Sequence, residues 1–222
     1  METEGAETVE MEDTDRRAEE LSQTAARIKT ILDSRVPGVM DEPLYRRASV
    51  GIPLVQGPSV LFQIRSKKLK SQPGEICFPG GAIEPGESPR QAVVRECSEE
   101  LLLPPDHIKV LGQGDILITP TGRIIYPFVV RLEDYRNTYS TDEVEDVFSV
   151  PLEWLLKQKP DFYIQEVETK VGEDFPFDKI QGGEDYPWQR GKNRIYFYEY
   201  KGKIIWGLTA RLLKGFADLI KE

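Results

Sequence analysis

Residues 78–103 read FPGGAIEPGESPRQAVVRECSEELLL, and this stretch decides the fold. Within it, Ser88, Pro89 and Gln91 carry the marks of a helix start: a serine cap, proline at the first helical position and glutamine three residues after the cap. This pattern predicts a helix that runs to about Leu102 and ends before the two prolines that follow.

Three glutamates share one face of this predicted helix. With Glu96 at zero on a helical wheel, Glu100 falls at about 40° and Glu99 at about 300°, at roughly 100° per residue. Like charges at these spacings destabilise a bare helix by about a few tenths of a kcal/mol per pair, and a divalent cation would offset that cost. Such a cation also lowers the pKa of a bound water, whose proton a spare glutamate can accept. A merely solvated helical face would carry the same residues.

The loop before the helix favours the metal-binding interpretation, because two adjacent glycines permit a backbone turn that side chains would block. The order Gly81, five residues, Glu87, seven residues and then RECSEE at residues 95–100 resembles the Nudix box, which would span residues 81–103. The box has glycine where this chain has Leu102. That position belongs to the helix end, so the departure concerns local geometry more than metal binding.

The resemblance implies a Nudix-like sandwich of a mixed β-sheet between helices, in the α/β (α+β) class, and a metal-dependent pyrophosphohydrolase. It implies Mg²⁺ or Mn²⁺ as cofactor, with Glu96, Glu99 and Glu100 as metal ligands. Glu99, Glu100 and Arg95 are the implied catalytic residues, and Glu87 and Arg95 would support the loop and helix. The general base is one of these glutamates or an acid of a later segment, which an exposed loop would explain equally well: Glu143, Glu145 or Asp146.

Residues 61–75, LFQIRSKKLKSQPGE, resemble the segment that precedes the box in coenzyme A pyrophosphatases. The likeness continues at residues 119–122 and 205–211 and covers most of the chain from about Ala48. It implies cleavage of coenzyme A or its thioesters to 3′,5′-ADP and (acyl-)4′-phosphopantetheine. Gln72 departs from the histidine common in that family, and glutamine cannot titrate near neutrality. The implied substrate-binding residues are Arg65, Ser66, Lys68, Gly80 and Gly81.

Four basic residues in that segment offer a physical reason for the same substrate. Arg65, Lys67, Lys68 and Lys70 cluster in an otherwise slightly acidic domain, and such a cluster would suit the 3′-phosphate of coenzyme A. A solvated basic loop explains any single lysine about equally well. Two alternatives stay open: a Nudix pyrophosphatase for another nucleoside diphosphate derivative, such as ADP-ribose or a dinucleotide, and a non-catalytic Nudix module that binds a nucleotide or a partner protein.

Length and charge predict one domain behind an acidic tail. The chain has 222 residues, 39% of them hydrophobic, which suits one sizeable core. Residues 1–15 hold seven acids and no base, so the net charge of −9 leaves about −2 for the rest. We expect a disordered tail at residues 1–16 and a single Nudix domain at residues 17–222, with an amphipathic helix near its start.

Composition also narrows the location and the partners. No stretch approaches the roughly eighteen apolar residues of a membrane span, and the N-terminus lacks the basic and apolar regions of a secretory signal. Cys77 and Cys97 suit free thiols in a reducing compartment, and the single histidine, His107, gives histidine-based catalysis or a zinc site little support. We therefore expect a cytoplasmic enzyme with a small-molecule nucleotide substrate, no nucleic acid partner and no membrane partner. A homodimer is left open.

Apolar and β-branched runs predict the remaining elements. A short helix opens near Val150, and residues 209–221 form a closing helix. The segment 162–193 could cover the substrate, form a dimer contact or be an ordinary surface loop. The predicted strands are 48–55, 60–64, 75–78, 108–111, 115–118, 124–132, 195–200 and 203–206.

Overall fold

The computed structural model describes the backbone of residues 4–221, with side chains from residue 16 onward except that of residue 18. The helices are α1 (Glu4–Asp33), α2 (Pro89–Leu101), α3 (Leu152–Lys157) and α4 (Gly207–Ile220). The strands are β1 (Arg46–Val55), β2 (Ser59–Arg65), β3 (Ile76–Cys77), β4 (Gly80–Ala82), β5 (Ile108–Gln113), β6 (Leu117–Thr119), β7 (Arg123–Leu132), β8 (Val144–Pro151), β9 (Asp161–Val167), β10 (Gly191–Tyr200) and β11 (Lys203–Trp206).

Eight strands within the described residues form one mixed sheet. Its main path is β3-β2-β1-β7-β5, and β4, β6 and β8 pair with β1, β7 and β2 respectively. β1 and β7 run parallel and begin side by side, with Arg46 opposite Arg123. The other pairs in this sheet are antiparallel. A second, antiparallel sheet has the order β11-β10-β9.

Helices α2 and α4 cover opposite faces of the mixed sheet, because successive residues of a strand point to opposite sides. A Cβ built on Gly51 would lie 2.7 Å from Sγ of Cys97 in α2, so the helix packs directly on the strand backbone there. The next residue, Ile52, belongs to the core cluster that contains Leu213 and Phe216 of α4. The sheet therefore lies between helices, which confirms the predicted sandwich and fold class.

Most predicted elements are confirmed with shifts of one to four residues at their ends, but the sequence missed three strands. β8 lies where an acidic loop was considered, and its exposed acids, Glu145 and Asp146, obscure an alternation whose buried residues are Val144 and Val150. β9 occupies the start of the segment 162–193 and is mostly exposed, so its apolar run, Phe162 to Ile164, shows no alternation of apolar and polar residues that would mark a buried face. β4 consists of Gly80, Gly81 and Ala82, residues with little strand propensity.

The N-terminal part of the chain contains a longer helix than the sequence predicts. α1 spans Glu4–Asp33 and continues through most of the segment expected to be a disordered tail, of which residues 1–3 lie outside the described residues. Glutamate, alanine and arginine, frequent between residues 4 and 20, have high helix propensity, which the charge argument overlooked. The chain divides into two compact units between Glu42 and Pro43. The predicted domain boundary at residues 16 and 17 stays a prediction.

No helix within residues 4–221 combines the length and the apolar character needed to cross a membrane.

Candidate active site

The start of α2 is anchored to the sheet and capped as predicted. Ser88 Oγ accepts a hydrogen bond from the backbone nitrogen of Gln91 at 3.3 Å, and Gln91 Oε1 accepts one from the Ser88 nitrogen at 2.9 Å. Reciprocal caps of this kind contribute about 1 kcal/mol to helix stability. Ser49 of β1 donates from Oγ to the carbonyl of Pro89 at 2.8 Å. These bonds determine where the helix and its glutamates lie relative to β1.

The end of α2 shows how the chain accommodates leucine where the box has glycine. Leu102 caps the helix in the left-handed region, with φ 50° and ψ 44°, and its N–H donates to the carbonyl of Ser98. This conformation costs an L-residue about 1 kcal/mol or more. The side chain is 59% exposed and therefore displaces nothing in the core. The helix ends with the backbone geometry that favours glycine, at a modest cost in stability.

Arg95 links the helix to the loop before it. Its Nε and Nη2 donate to the two carboxylate oxygens of Glu87 at 3.0 and 3.1 Å, and Nη2 also donates to the carbonyl of Ala82 at 3.0 Å. Its Nη1 donates to Glu96 at 2.8 Å and to Glu99 at 3.2 Å. The pKa of Arg95 is raised, chiefly by the bond to Glu87, and the pKa of Glu87 is lowered by the same bond. These contacts give Arg95 the geometry of a positioning residue.

Glu100 is the buried carboxylate of the helix. It is 3% exposed, and Nε2 of Gln63 from β2 donates a hydrogen bond to its Oε2. The pKa of Glu100 is raised to about 8, chiefly by burial; the charges of Glu96 and Glu143 contribute to this rise, and hydrogen bonds from Gln63 and the Gly80 backbone oppose it. A carboxyl in this environment ionises readily only when positive charge comes close.

Glu96 lies against the glycine loop, the segment that begins with Gly80 and Gly81 and leads into α2. A Cβ built on Gly81 would lie 2.4 Å from Oε1 of Glu96 and 2.7 Å from Oε2, so a side chain at position 81 would occupy the space of the carboxylate. Burial raises the pKa of Glu96, the pair with Arg95 opposes the rise, and the charges of Glu99 and Glu143 add to it. The loop thus needs glycine in order to leave room for this carboxylate.

Among the three acids considered in the later segment, Glu143 is the one whose charge acts on the glutamates of α2. Its charge raises the pKa of both Glu96 and Glu100, so it lies within electrostatic reach of both. Glu145 instead pairs with Lys67 at 3.7 Å, and Asp146 accepts a hydrogen bond from the backbone nitrogen of Val147 at 2.8 Å.

A cavity of about 400 Å³ adjoins the glycine loop. Gly80 and Gly81 border it, and the same two residues contact Glu100 and Glu96, so the cavity and the glutamates share one loop. The rest of the lining combines apolar side chains, among them Val50, Ile125 and Leu212, with one acid, Glu75, and with a set of cationic, amide and aromatic side chains: Arg46, Arg47, Arg65, Arg123, Gln72 and Trp206. A loop of this kind can present a phosphate-bearing ligand to the carboxylates.

Comparison with known proteins identifies the family. The model of the NUDIX domain family matches residues 45–169. The chain belongs to the Nudix hydrolase family. It is 30% identical over 186 residues to the uncharacterized Nudix hydrolase NudL of Citrobacter koseri, covering 82% of this chain and 86% of that protein. It is 36% identical over 118 residues to the peroxisomal coenzyme A diphosphatase of Mus musculus, covering 52% of this chain and 49% of that protein.

Among solved structures, the chain resembles DR0079 of Deinococcus radiodurans with a TM-score of 0.43 and 19% identity, over 56% of this chain and 82% of that one. The family membership and its Nudix hydrolase relatives make this chain a pyrophosphohydrolase. Nudix enzymes act on small nucleotide-derived substrates and generally use divalent metal ions.

The Nudix glutamates fit a hard divalent cation by their chemistry. Glu96 and Glu100 are carboxylates whose pKa values rise through burial and through their neighbours' charges, which is the situation that a bound cation relieves. Within the described residues, however, no three acidic, cysteine or histidine side chains already converge in ligand geometry. Arg95 holds Glu96 and Glu99, and Gln63 holds Glu100. Binding of the cation would therefore require these side chains to turn.

Two of the predicted substrate-binding residues, Ser66 and Lys68, lie outside the lining of this cavity. Ser66 is buried, accepts a hydrogen bond on Oγ from the Lys68 nitrogen at 3.4 Å, and donates its own N–H to the Glu143 carbonyl at 2.9 Å. Lys68 is exposed and lies outside the cavity lining. Ser66 thus supports the backbone that carries Glu143. Arg65, Gly80 and Gly81 line the cavity, and their role in substrate binding stays a prediction.

Sequence reasoning also missed several residues of the Nudix site. Arg46 and Arg123 lie far apart in sequence, and only the parallel pairing of β1 with β7 brings them together. Gln63 lies in an apolar strand pattern that gives no sign of its bond to Glu100. Trp206 is the last residue of β11, and the hairpin pattern of the sequence explained its presence without indicating that it lines a cavity.

A larger and mainly apolar cavity lies further along the same sheet face. It has a volume of about 620 Å³, and Leu212 of α4 borders both this cavity and the smaller one. Its lining includes Ile52, Pro127 and Phe216 and none of the Nudix glutamates. Neither cavity is lined by Glu96, Glu99 or Glu100, but the smaller one is bordered by Gly80 and Gly81, which contact Glu100 and Glu96. We therefore assign the active site to the smaller cavity.

Proposed function

We propose that this Nudix enzyme hydrolyses the pyrophosphate bond of coenzyme A or its thioesters, giving 3′,5′-ADP and (acyl-)4′-phosphopantetheine. The observation that supports the proposal is the shared glycine loop: Gly80 and Gly81 border a cavity with four arginines in its lining, and the same two residues contact Glu100 and Glu96. Coenzyme A carries a phosphate besides its pyrophosphate, which suits several arginines. The resemblance of residues 61–75 and the 36% identity to a coenzyme A diphosphatase support the same substrate.

In the proposed mechanism, Glu96, Glu99 and Glu100 would hold Mg²⁺ or Mn²⁺. When bound, the cation neutralises charge on the pyrophosphate and lowers the pKa of a bound water. Arg95 keeps the helix and the glycine loop in register through its bonds to Glu87 and Ala82.

Proton transfer is the second task of the site. We assign it to Glu143, whose exposed carboxylate lies within electrostatic reach of Glu96 and Glu100. A carboxylate oxygen of Glu143 accepts the proton of the attacking water, and one P–O bond of the bridge breaks as the new one forms. The backbone of Glu143 is fixed for this task, because its carbonyl accepts a hydrogen bond from the Ser66 nitrogen.

The proposal extends to the cellular location and the partners of the enzyme. The structure has two free cysteines among its described residues, Cys77 and Cys97, and free thiols suit a reducing compartment such as the cytoplasm. The predicted partners are a small-molecule nucleotide and neither nucleic acid nor membrane. The homodimer and the division at residues 16 and 17 stay predictions.

Product analysis tests this function. The purified protein is incubated with coenzyme A and, separately, with ADP-ribose, each with magnesium and with excess chelator. We expect metal-dependent 3′,5′-ADP from coenzyme A, and its loss in Glu100→Gln but not in Glu145→Gln, the matched change of an exposed glutamate. Cleavage of ADP-ribose alone would keep the reaction type and reject the substrate.

A further inference from the structure

Two arginines stand side by side where the parallel strands β1 and β7 begin. Arg46 and Arg123 are direct partners in the strand register, and both side chains are exposed. The backbone nitrogen of Arg46 donates to the carbonyl of Gly122 at 2.9 Å, which holds the two strand starts together. Like charges directly opposite each other on neighbouring strands are destabilising. A site that repeatedly binds an anion would offset this cost.

Both arginines face the cavity of the active site. Residues two apart in a strand lie on the same side, so Arg46 shares its face with Ala48, and Arg123 shares its face with Ile125. All four residues line the cavity, and Ala48 pairs with Ala82 of the glycine loop. Arg46 therefore lies roughly 7 Å along the strand from the position that pairs with the loop. This distance between Arg46 and the glycine loop suits a substrate group that is attached to the ribose, away from the pyrophosphate bond that is cleaved.

The guanidinium groups of this pair are available to a ligand. Neither forms an ion pair with a carboxylate of the described residues. Arg65, the third arginine, is partly engaged, because its Nε donates to the carbonyl of Ser71 at 3.3 Å. Trp206, 40% exposed, lines the same cavity and offers an aromatic face to a base. Paired guanidinium groups bind phosphate by two parallel hydrogen bonds each, which gives them specificity.

We propose that Arg46 and Arg123 bind a phosphate monoester of the substrate that is not hydrolysed, carried on the ribose of the nucleotide. This inference rests on the proposed function, in which that group is the 3′-phosphate of coenzyme A. It replaces the lysines of residues 67–70 as the discriminating residues, because those lysines lie outside the cavity lining. The strand pair, and not the basic loop, then distinguishes coenzyme A from nucleotides without the extra phosphate.

The kinetic test compares coenzyme A with 3′-dephospho-coenzyme A. We expect the unmodified enzyme to favour coenzyme A by at least about tenfold in kcat/KM, since a charge-assisted hydrogen bond contributes a factor of about 10 to 100. Arg46→Gln and Arg123→Gln should each lower kcat/KM for coenzyme A about tenfold, through KM, and leave 3′-dephospho-coenzyme A within about twofold. Arg136→Gln, a change of an exposed arginine outside the cavity, is the matched control. Equal losses on both substrates would overturn the proposal.

A binding test separates this inference from the proposed function. Calorimetry measures adenosine 3′,5′-bisphosphate and adenosine 5′-monophosphate on the intact protein, with no turnover required. We expect tighter binding of the bisphosphate, lost in the Arg46→Gln, Arg123→Gln double variant whose melting temperature is checked in parallel. If coenzyme A is not cleaved but this preference exists, the substrate assignment fails and the phosphate site stands. If the unmodified protein shows no preference for the bisphosphate, the phosphate site is wrong.

Discussion

Gln63 donates a hydrogen bond from Nε2 to Oε2 of Glu100 in the interior of the domain, where the two side chains are 2% and 3% exposed. Oε1 of Gln63 is buried and has no hydrogen-bond partner among the described residues. The pair therefore places a carboxyl in a poorly solvated site with a single side-chain donor. The protonation of Glu100 should govern how the metal-free protein responds to pH.

The first prediction concerns stability without metal. The pKa of Glu100 is about 8 in the folded protein and 4.5 ordinarily, so the protonated form stabilises the fold. That contribution is complete below about pH 4.5 and is lost as the pH rises to about 8. In chelator, this group should lower the free energy of unfolding by up to about 1.4 kcal/mol per pH unit across that window. Urea unfolding at several pH values measures it.

Glu100→Gln should flatten this pH dependence, because the amide cannot ionise. Glu145→Gln, which changes an exposed acid, should keep the slope of the unmodified protein. Identical slopes in all three proteins would show that Glu100 does not titrate in this range.

The second prediction separates the acids of the later segment. Glu143→Gln should lower kcat by about 10²- to 10⁴-fold, the usual contribution of a general base, whereas Glu145→Gln should change it less than threefold. Steady-state kinetics at saturating magnesium gives both values. A normal kcat in Glu143→Gln would assign proton transfer to a glutamate of α2 instead.

The third prediction tests the room that Gly81 leaves for Glu96. Gly81→Ala should lower kcat by about a hundredfold, because its Cβ would displace the Glu96 carboxylate from its observed position. The displaced group is the flexible end of a side chain, so the melting temperature should change little. Gly112→Ala is the control, since a Cβ there meets nothing within 4 Å. A large loss of stability in Gly81→Ala would mean that the loop itself is disrupted.

The fourth prediction concerns the end of α2. Leu102→Gly should raise the free energy of unfolding by about 0.5 to 1 kcal/mol, because glycine adopts the observed φ of 50° without steric cost. This corresponds to an increase of roughly 1 to 4 °C in melting temperature for a domain of this size. Leu102→Ala keeps the left-handed strain and should show no such gain. Destabilisation by glycine would indicate that the leucine side chain contributes packing.

The sequence predicts features that depend on residues close together in the chain, and it does not predict contacts between residues far apart in the chain. Helix α2 was predictable because its cap, Ser88 with Gln91, and its glutamates act within a few residues of each other. The pairing of Arg46 with Arg123 depends on a parallel strand contact that closes a long stretch of chain, and no local pattern reveals it. Charge alone does not show which side chains of the basic segment line the cavity: Arg65 does, whereas its three lysines do not.

The Nudix glutamates themselves illustrate the same limit. Their common helical face and the i,i+4 pair of Arg95 with Glu99 follow from residue spacing, but the bond of Gln63 to Glu100 depends on a strand neighbour that spacing does not describe. The sequence leaves Glu143, Glu145 and Asp146 equivalent, whereas the fold brings the charge of Glu143 within reach of Glu96 and Glu100.

The contact of Cys97 with Gly51 makes the catalytic helix observable from inside the protein. The thiol is fully buried on the inner side of α2, and burial raises its pKa, so an alkylating reagent cannot reach a reactive thiolate while the helix lies on the sheet. The rate of alkylation of Cys97 therefore reports how often α2 separates from β1. This rate, followed by mass spectrometry with and without substrate, would show how firmly the enzyme holds its glutamates between turnovers.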